Sequence, residues 1–213
     1  DNNSAFGYKA LNQNTTGTHN VAVGSQAGDA ITTGSDNIAI GYQALTTNVT
    51  GAHNIAIGRG CLAAHTGTRC TAIGRASMES NTANDNTSVG YHSLLVNTTG
   101  TQNTAVGAEA LNTTTTGNQN SALGVAALYA NTTGADNTAL GRSALSANTT
   151  ASNNTAVGSS ALLANTTGHS NVATGETALR DNTSGVQNIA IGRAALRANT
   201  TADNNTAIGY ASL

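Results

Sequence analysis

Five histidines (His19, His53, His65, His92 and His169) and two cysteines (Cys61 and Cys70) are the side chains of this sequence best suited to chemistry. An imidazole can shuttle a proton or hold a metal near neutral pH, and a thiol can attack, ligate or pair. The spacing supports little of this. No histidine pairs with a carboxylate at a repeated position. His19 and His53 hold the same place in a repeating pattern, but two repeats apart, roughly 10 Å. One metal with ligand bonds of about 2.1 Å does not bridge that gap. The histidines are therefore expected to be solvated turn residues. Gly58-Arg59-Gly60 lacks the rest of a phosphate-binding motif, and no regular Asp column marks a calcium-binding roll. The expectation is no catalytic residue, no cofactor, no metal, and no enzyme activity.

The elements that would position these residues follow from glycine. Gly7, Gly24, Gly41, Gly58, Gly74, Gly90, Gly107, Gly124, Gly141, Gly158, Gly175, Gly192 and Gly209 are 17 residues apart, except for two steps of 16 between Gly58 and Gly90. A fixed period shorter than a domain means one small unit stacked on itself. Before each glycine stands a short apolar stretch, as in Val21-Ala-Val23, Ile38-Ala-Ile40 and Ile189-Ala-Ile191. This β-branched alternation is a strand signal. After it come two variable residues, an Ala-Leu pair such as Ala161-Leu162, and a polar turn such as Asn165-Thr-Thr-Gly168. The gap between glycines is too short for a helix. The spacing predicts an all-β fold, a parallel β-roll or β-solenoid with two short strands and two turns per coil. A single array of 12–13 coils would span residues 1–213, irregular near 59–90 and roughly 60 Å long.

Stacked coils turn each repeat position into a column. The middle strand residue is Ala in nearly every coil (Ala5, Ala22, Ala39, Ala56), broken by Ser88, and its neighbour is nearly always aliphatic, Phe6 and Thr174 excepted. Both strand faces thus look constrained, which points to packing against another chain. The Leu column (Leu11, Leu45, Leu62) departs at Gly28 and Met78. Asn20, Asn37, Asn54, Asn86 and their successors form a column suited to hydrogen bonds along the rod. The turn glycines are expected to supply a positive φ. Charged residues make up only 8% with a net charge of −2, too few cations for nucleic acid. No apolar run reaches the roughly 18 residues of a membrane helix, so no membrane insertion is expected. Asp1 to Asn3 match Asp203 to Asn205 and the sequence stops mid-repeat at Leu213, as in a segment of a longer fibre.

Three groups of residues stand out against this background. Cys61 replaces a consensus Ala and Cys70 a consensus Asn within one shortened repeat. They point to a disulfide stapling a local defect in an extracellular setting, the alternative being two buried thiols. The position after the glycine varies most and carries Tyr8, Tyr42, Tyr91 and Tyr210 with Arg59, Arg75, Arg142 and Arg193. Tyr and Arg dominate recognition surfaces, so this is a candidate recognition edge. Thr99, Thr116, Thr133, Thr150 and Thr167 form a ladder that an ice-binding face would use.

Asn37-Ile-Ala-Ile-Gly41, Asn54-Ile-Ala-Ile-Gly58 and Asn188-Ile-Ala-Ile-Gly192 resemble the head repeats of trimeric autotransporter adhesins of the YadA type. The longer phrase with Ala-Leu and Asn-Thr-Thr-Gly is similar to repeat arrays of bacterial and phage tail fiber domain proteins. The resemblance covers essentially the whole chain. It implies a left-handed parallel β-roll, three chains packed as a homotrimer, and a cell-surface or virion-surface location. The adhesin repeat is shorter, so the Thr-Thr-Gly turn is extended here. The expected function is a shaft, stalk or head segment of an extracellular fibre, its partners being its own copies and a host-surface glycan or protein. The alternative is an ice-binding solenoid.

Overall fold

A computed structural model describes residues 2–213. Asp1, which begins the Asp-Asn-Asn match to the last repeat, lies outside the described residues. Among those described, thirteen three-residue strands run from Ser4–Phe6 to Thr206–Ile208. They form one sheet in strict chain order. Every pairing is parallel and in register, Ala on Ala as in Ala156 against both Ala139 and Ala173, except where Ser88 faces Ala72 and Ala105. The chain is an all-β parallel solenoid with 17-residue coils, two of them shortened to 16, and no helix among the described residues.

Each coil contains one strand, not the two expected. The Ala-Leu half is a series of turns, because the residues around Ala take left-handed backbone, as at Ser160 (φ 57°) and Leu162 (φ 50°). A left-handed residue costs roughly 1–2 kcal/mol, and burying a leucine side chain returns about 2 kcal/mol. Coil-to-coil hydrogen bonds persist there despite the turns, for example Leu162 N–H to the Ala178 carbonyl at 3.0 Å.

The interior is a narrow rod. The strand Ala column points inward, with Ala22, Ala56, Ala105 and Ala156 at 0% exposure, and meets the Ala and Leu of the turn half. The aliphatic residues flanking each strand Ala point outward.

Two glycine columns serve different ends. At the strand end Gly158 has φ +134°, and an added Cβ would stand 2.5 Å from the Gly175 carbonyl oxygen. Neither the backbone nor the neighbouring coil admits a side chain. The turn glycines, expected to supply positive φ, do not. Gly168 has ordinary φ and is needed only for close approach, its Cβ falling 2.4 Å from the Gly185 carbonyl. Ala83, Ala151 and Ala202 fill that column elsewhere.

Asparagine lines the remaining interior in two buried ladders. In the first, Asn37 Nδ2 donates to Asn20 Oδ1 at 3.1 Å and to the Gly51 carbonyl at 2.9 Å. Its backbone N–H donates to the same Oδ1 at 3.0 Å. The second ladder is built from the turn Asn, which sequence reasoning placed in an ordinary turn. Asn148 Nδ2 donates to Asn131 Oδ1 at 2.9 Å, and Asn165 Nδ2 to Asn148 Oδ1 at 3.1 Å. A buried amide left unpaired costs roughly 1–3 kcal/mol, so each Asn is supported by the next. Where the ladder breaks, orphans appear. Asn97 Oδ1 faces Thr114, whose hydroxyl is too short to replace an amide, and both Asn97 Oδ1 and Thr114 Oγ1 lack a partner.

Candidate functional site

The column after the strand-end glycine faces solvent, and Tyr8, Tyr42, Tyr91 and Tyr210 are all exposed there. The rod pairs its members across neighbouring coils. Arg59 lies over the Tyr42 ring at 5.7 Å, Arg75 over Tyr91 at 5.8 Å, and Arg193 over Tyr210 at 5.6 Å. Tyr8 is approached by Lys9 at 5.6 Å. Arg193 also donates from Nε to Glu176 Oε2 at 2.9 Å. Both partners are exposed, so this pair holds the side chain without adding much stability. Arg142 stands between Val125 and Ser159 in its column and joins none of these clusters. The eight edge residues therefore divide into three groups, at Tyr8, at Tyr42 to Tyr91, and at Arg193 to Tyr210, with Arg142 apart.

The middle group is the most built. Tyr42, Arg59, Arg75 and Tyr91 occupy four successive coils, and His92 stacks on Tyr91 with centroids 3.8 Å apart. One column inward, Gly60 and Ala76 separate Gln43 from His92. The short residues open a notch of about 160 Å³ flanked by the two arginines, with Glu79 beside it. That group sits on the irregular coils, whose interior is also unlike the rest.

Cys61 and Cys70 are both buried and both free. The disulfide expected between them is not formed. Cys61 Sγ donates to the Ala72 carbonyl at 3.1 Å and Cys70 Sγ to the Ala83 carbonyl at 3.3 Å. The two thiols thus serve separate backbone acceptors along the rod. Burial pushes Cys61 up to about 12 and Cys70 up to about 11, so both stay protonated at neutral pH and unreactive.

His65 is not a solvated turn residue. It replaces an Asn in the second ladder and is fully buried. Its Nε2 lies 3.2 Å from Asn54 Oδ1, and its Nδ1 lies 3.1 Å from the Asn81 carbonyl oxygen and 3.2 Å from Asn81 Nδ2. Burial lowers its pKa below the usual imidazole value, opposed by the nearby Asn81 and Gly67 backbone. Ser77, Ser88 and Ser93 replace interior alanines one coil on. Ser77 Oγ donates to Ser88 Oγ at 2.8 Å, and Ser93 shares hydrogen bonds with both.

The other histidines are exposed or half-exposed. Two of them do meet a carboxylate, against expectation. Asp36 lies between His19, at 3.8 Å, and His53, at 3.9 Å, in one exposed column. The signal was present in the sequence, since Asp36 is one repeat from each. Among the described residues no group of three His, Cys, Asp or Glu could hold a metal ion, and no helix is long and apolar enough to cross a membrane.

The threonine ladder Thr99, Thr116, Thr133, Thr150 and Thr167 is exposed throughout. The preceding threonines turn their hydroxyls inward, Thr132 Oγ1 donating to the Thr149 carbonyl at 2.9 Å and Thr166 Oγ1 to the Thr183 carbonyl at 3.1 Å.

No family model matches this chain, and neither a curated protein nor a solved structure is similar to it at a significant level.

Proposed function

We propose that the chain is a structural segment of an extracellular fibre, a shaft, stalk or head in which three copies pack as a homotrimer of left-handed coils. The observation that carries this reading is the outward aliphatic column of the strand. Ile40 is 36% exposed, Leu123 47%, Leu140 41% and Ile191 41%. An apolar stripe running the length of a rod is more than a lone soluble chain normally leaves to water. In-register stacking makes the stripe straight, so a parallel copy would meet it along its whole length. The resemblance of the Asn-Ile-Ala-Ile-Gly phrase to adhesin head repeats supplies the number three and the cell-surface or virion-surface setting, as in an adhesin or a tail fibre. Its role is reach and stiffness, with attachment to a host-surface glycan or protein through the Tyr/Arg edge. The segment carries no catalysis, binds no nucleic acid and does not insert into a membrane.

Sedimentation equilibrium tests the assembly. A species of three times 21.1 kDa is expected, and a monomer at micromolar concentration overturns the proposal. A Leu123→Glu, Leu140→Glu double variant should release folded monomers, because both substitutions fall on the stripe and outside the coil interior.

A second reading, ice binding, draws on the exposed Thr99 to Thr167 column. It ranks behind, because the neighbouring threonine hydroxyls are spent on backbone carbonyls and one column makes a narrow face. Thermal hysteresis at millimolar protein would establish it, and its absence would remove it.

A further inference from the structure

Arg59 and Arg75 are stacked like charges. They occupy the same position on adjacent coils, about 4.8 Å apart along the rod, where equal charges repel. Arg180 and Arg197 also stack on adjacent coils, but there Arg180 is met by Asp181 at 2.7 and 3.1 Å. Arg193 follows Glu176 in the same column, and Arg69 is met by Asp85 in bidentate fashion at 2.6 and 2.9 Å. Among the described residues Arg59 and Arg75 have no carboxylate within ion-pair distance. They lean apart instead, Arg59 onto Tyr42 and Arg75 onto Tyr91. The space between them is left open.

That space is deepened by residue choice. In the adjoining column Gln43, Ala76 and His92 all take left-handed backbone with φ between 51° and 55°, as Gly60 does at 64°. The backbone therefore does not demand glycine there. Packing does not demand it either, since a Cβ on Gly60 would meet only Glu79 Oε1, at an ordinary 3.8 Å. Gly60 and Ala76 leave a gap where Gln43 and His92 stand on either side. The resulting notch, about 160 Å³, holds roughly five waters' worth of volume.

We propose that this notch binds a carboxylate-bearing sugar residue of an acidic glycan. The two guanidinium groups flank the notch on opposite sides, and each can donate in the fork geometry a carboxylate accepts. Gln43 and His92 offer hydrogen bonds to ring hydroxyls at either end. Glu79 selects within the anions. It accepts from a sugar hydroxyl but repels the second charge of a phosphate dianion. Tyr42 and Tyr91 present apolar ring surface to the C–H faces of a saccharide, as aromatic side chains at recognition surfaces do. The notch is built within one chain, so it stands or falls separately from the assembly of three.

Titration calorimetry on the protein as it assembles, with trigalacturonate and 3′-sialyllactose as probes, tests this. The controls are methyl-esterified trigalacturonate, lactose and inorganic sulfate. At least one acidic sugar should bind, its neutral counterpart roughly tenfold or more weakly. Arg59→Gln with Arg75→Gln should abolish binding. So should Gly60→Gln, which fills the notch with the side chain already carried at Gln43 and should leave the melting temperature unchanged. Arg142→Gln, on the same column but outside the notch, should bind like the parent. Failure of both acidic sugars, equal binding of the neutral ones, equal binding of sulfate alone, or retained binding by folded Gly60→Gln would each overturn the proposal.

Discussion

From Asn120 to Asn205 both asparagine ladders run unbroken, whereas the coils between Gly58 and Gly90 have lost one turn residue each and most of their consensus interior. Cys61 and Ser77 stand for Ala, His65 for a ladder Asn, Cys70 for the other, and Met78 for Leu. Yet the sheet passes through both regions in the same register. Gly74 keeps φ +132° like Gly158 at +134°, and Met78 keeps the left-handed backbone of the leucines. The strand and its glycine therefore fix the coil. The turn half is negotiable, with most of its buried polar atoms paired and a few, such as Asn48 Oδ1 beside the break, left without a partner. His65 shows the terms, since its two ring nitrogens reach Asn54 and Asn81 across the break.

The sharpest way to break this comparison is to attack what both regions share. Gly158→Ala and Gly74→Ala should each destabilise by about 3 kcal/mol or more, because each adds a Cβ within 2.5 Å of a backbone oxygen at a φ that disfavours it. Gly168→Ala should cost about 1 kcal/mol, since alanine already fills its column at Ala151. Urea unfolding followed by circular dichroism ranks the three, and equal costs would show that the two glycine columns do the same work.

A smaller effect, of opposite sign, is expected where the regular region begins. Thr114→Asn would give Asn97 Oδ1 a donor and Asn131 Nδ2 an acceptor. It should stabilise by about 1 kcal/mol, a rise of about 3 °C in melting temperature. A fall would mean that the second ladder is held by space rather than by hydrogen bonds.

The smallest expected effect is a pH dependence confined to the irregular coils. His65 has a folded pKa below that of the unfolded chain. The unfolded state therefore takes up a proton first as pH falls, and stability present above about pH 6.5 is lost progressively below it. Melting temperatures between pH 8 and pH 5 should decline in the parent. The decline should be shallower in His65→Asn, which exchanges the imidazole for the ladder's own side chain. An identical decline in both would place the titration elsewhere.

Much of this molecule was legible from columns alone. The glycine step, the interior Ala and Leu, and the first Asn ladder follow from a strict period, because stacking makes each side chain its own neighbour. Four features were not legible, each for a physical reason. The left-handed backbone at Leu162 and its equivalents leaves no compositional mark, since leucine rarely takes it, so the turn half passed for a second strand. Substitutions that compensate one another at different positions hide from a column-by-column reading. Gly28 empties the Leu column, and Ile31, in the Asn column three residues on, fills the hole, its Cδ1 lying 3.0 Å from where a Gly28 Cβ would be. Burial of His65 was hidden because it stands in the turn-Asn column, a polar column that carries no compositional mark of burial. At the Tyr/Arg edge, the sequence put Tyr and Arg in one column but could not show the notch, which depends on two short residues in the next.

The direction of the hydrogen bonds has a mechanical consequence. Most of them join one coil to the next, as from Thr155 N–H to the Asn171 carbonyl, and so lie along the rod. Tension on the two ends would load one rung at a time instead of shearing many together. Each 17-residue coil that peels off would lengthen the chain by roughly 50 Å. Under load such a rod would yield in equal steps, giving up length coil by coil while the remainder stays folded.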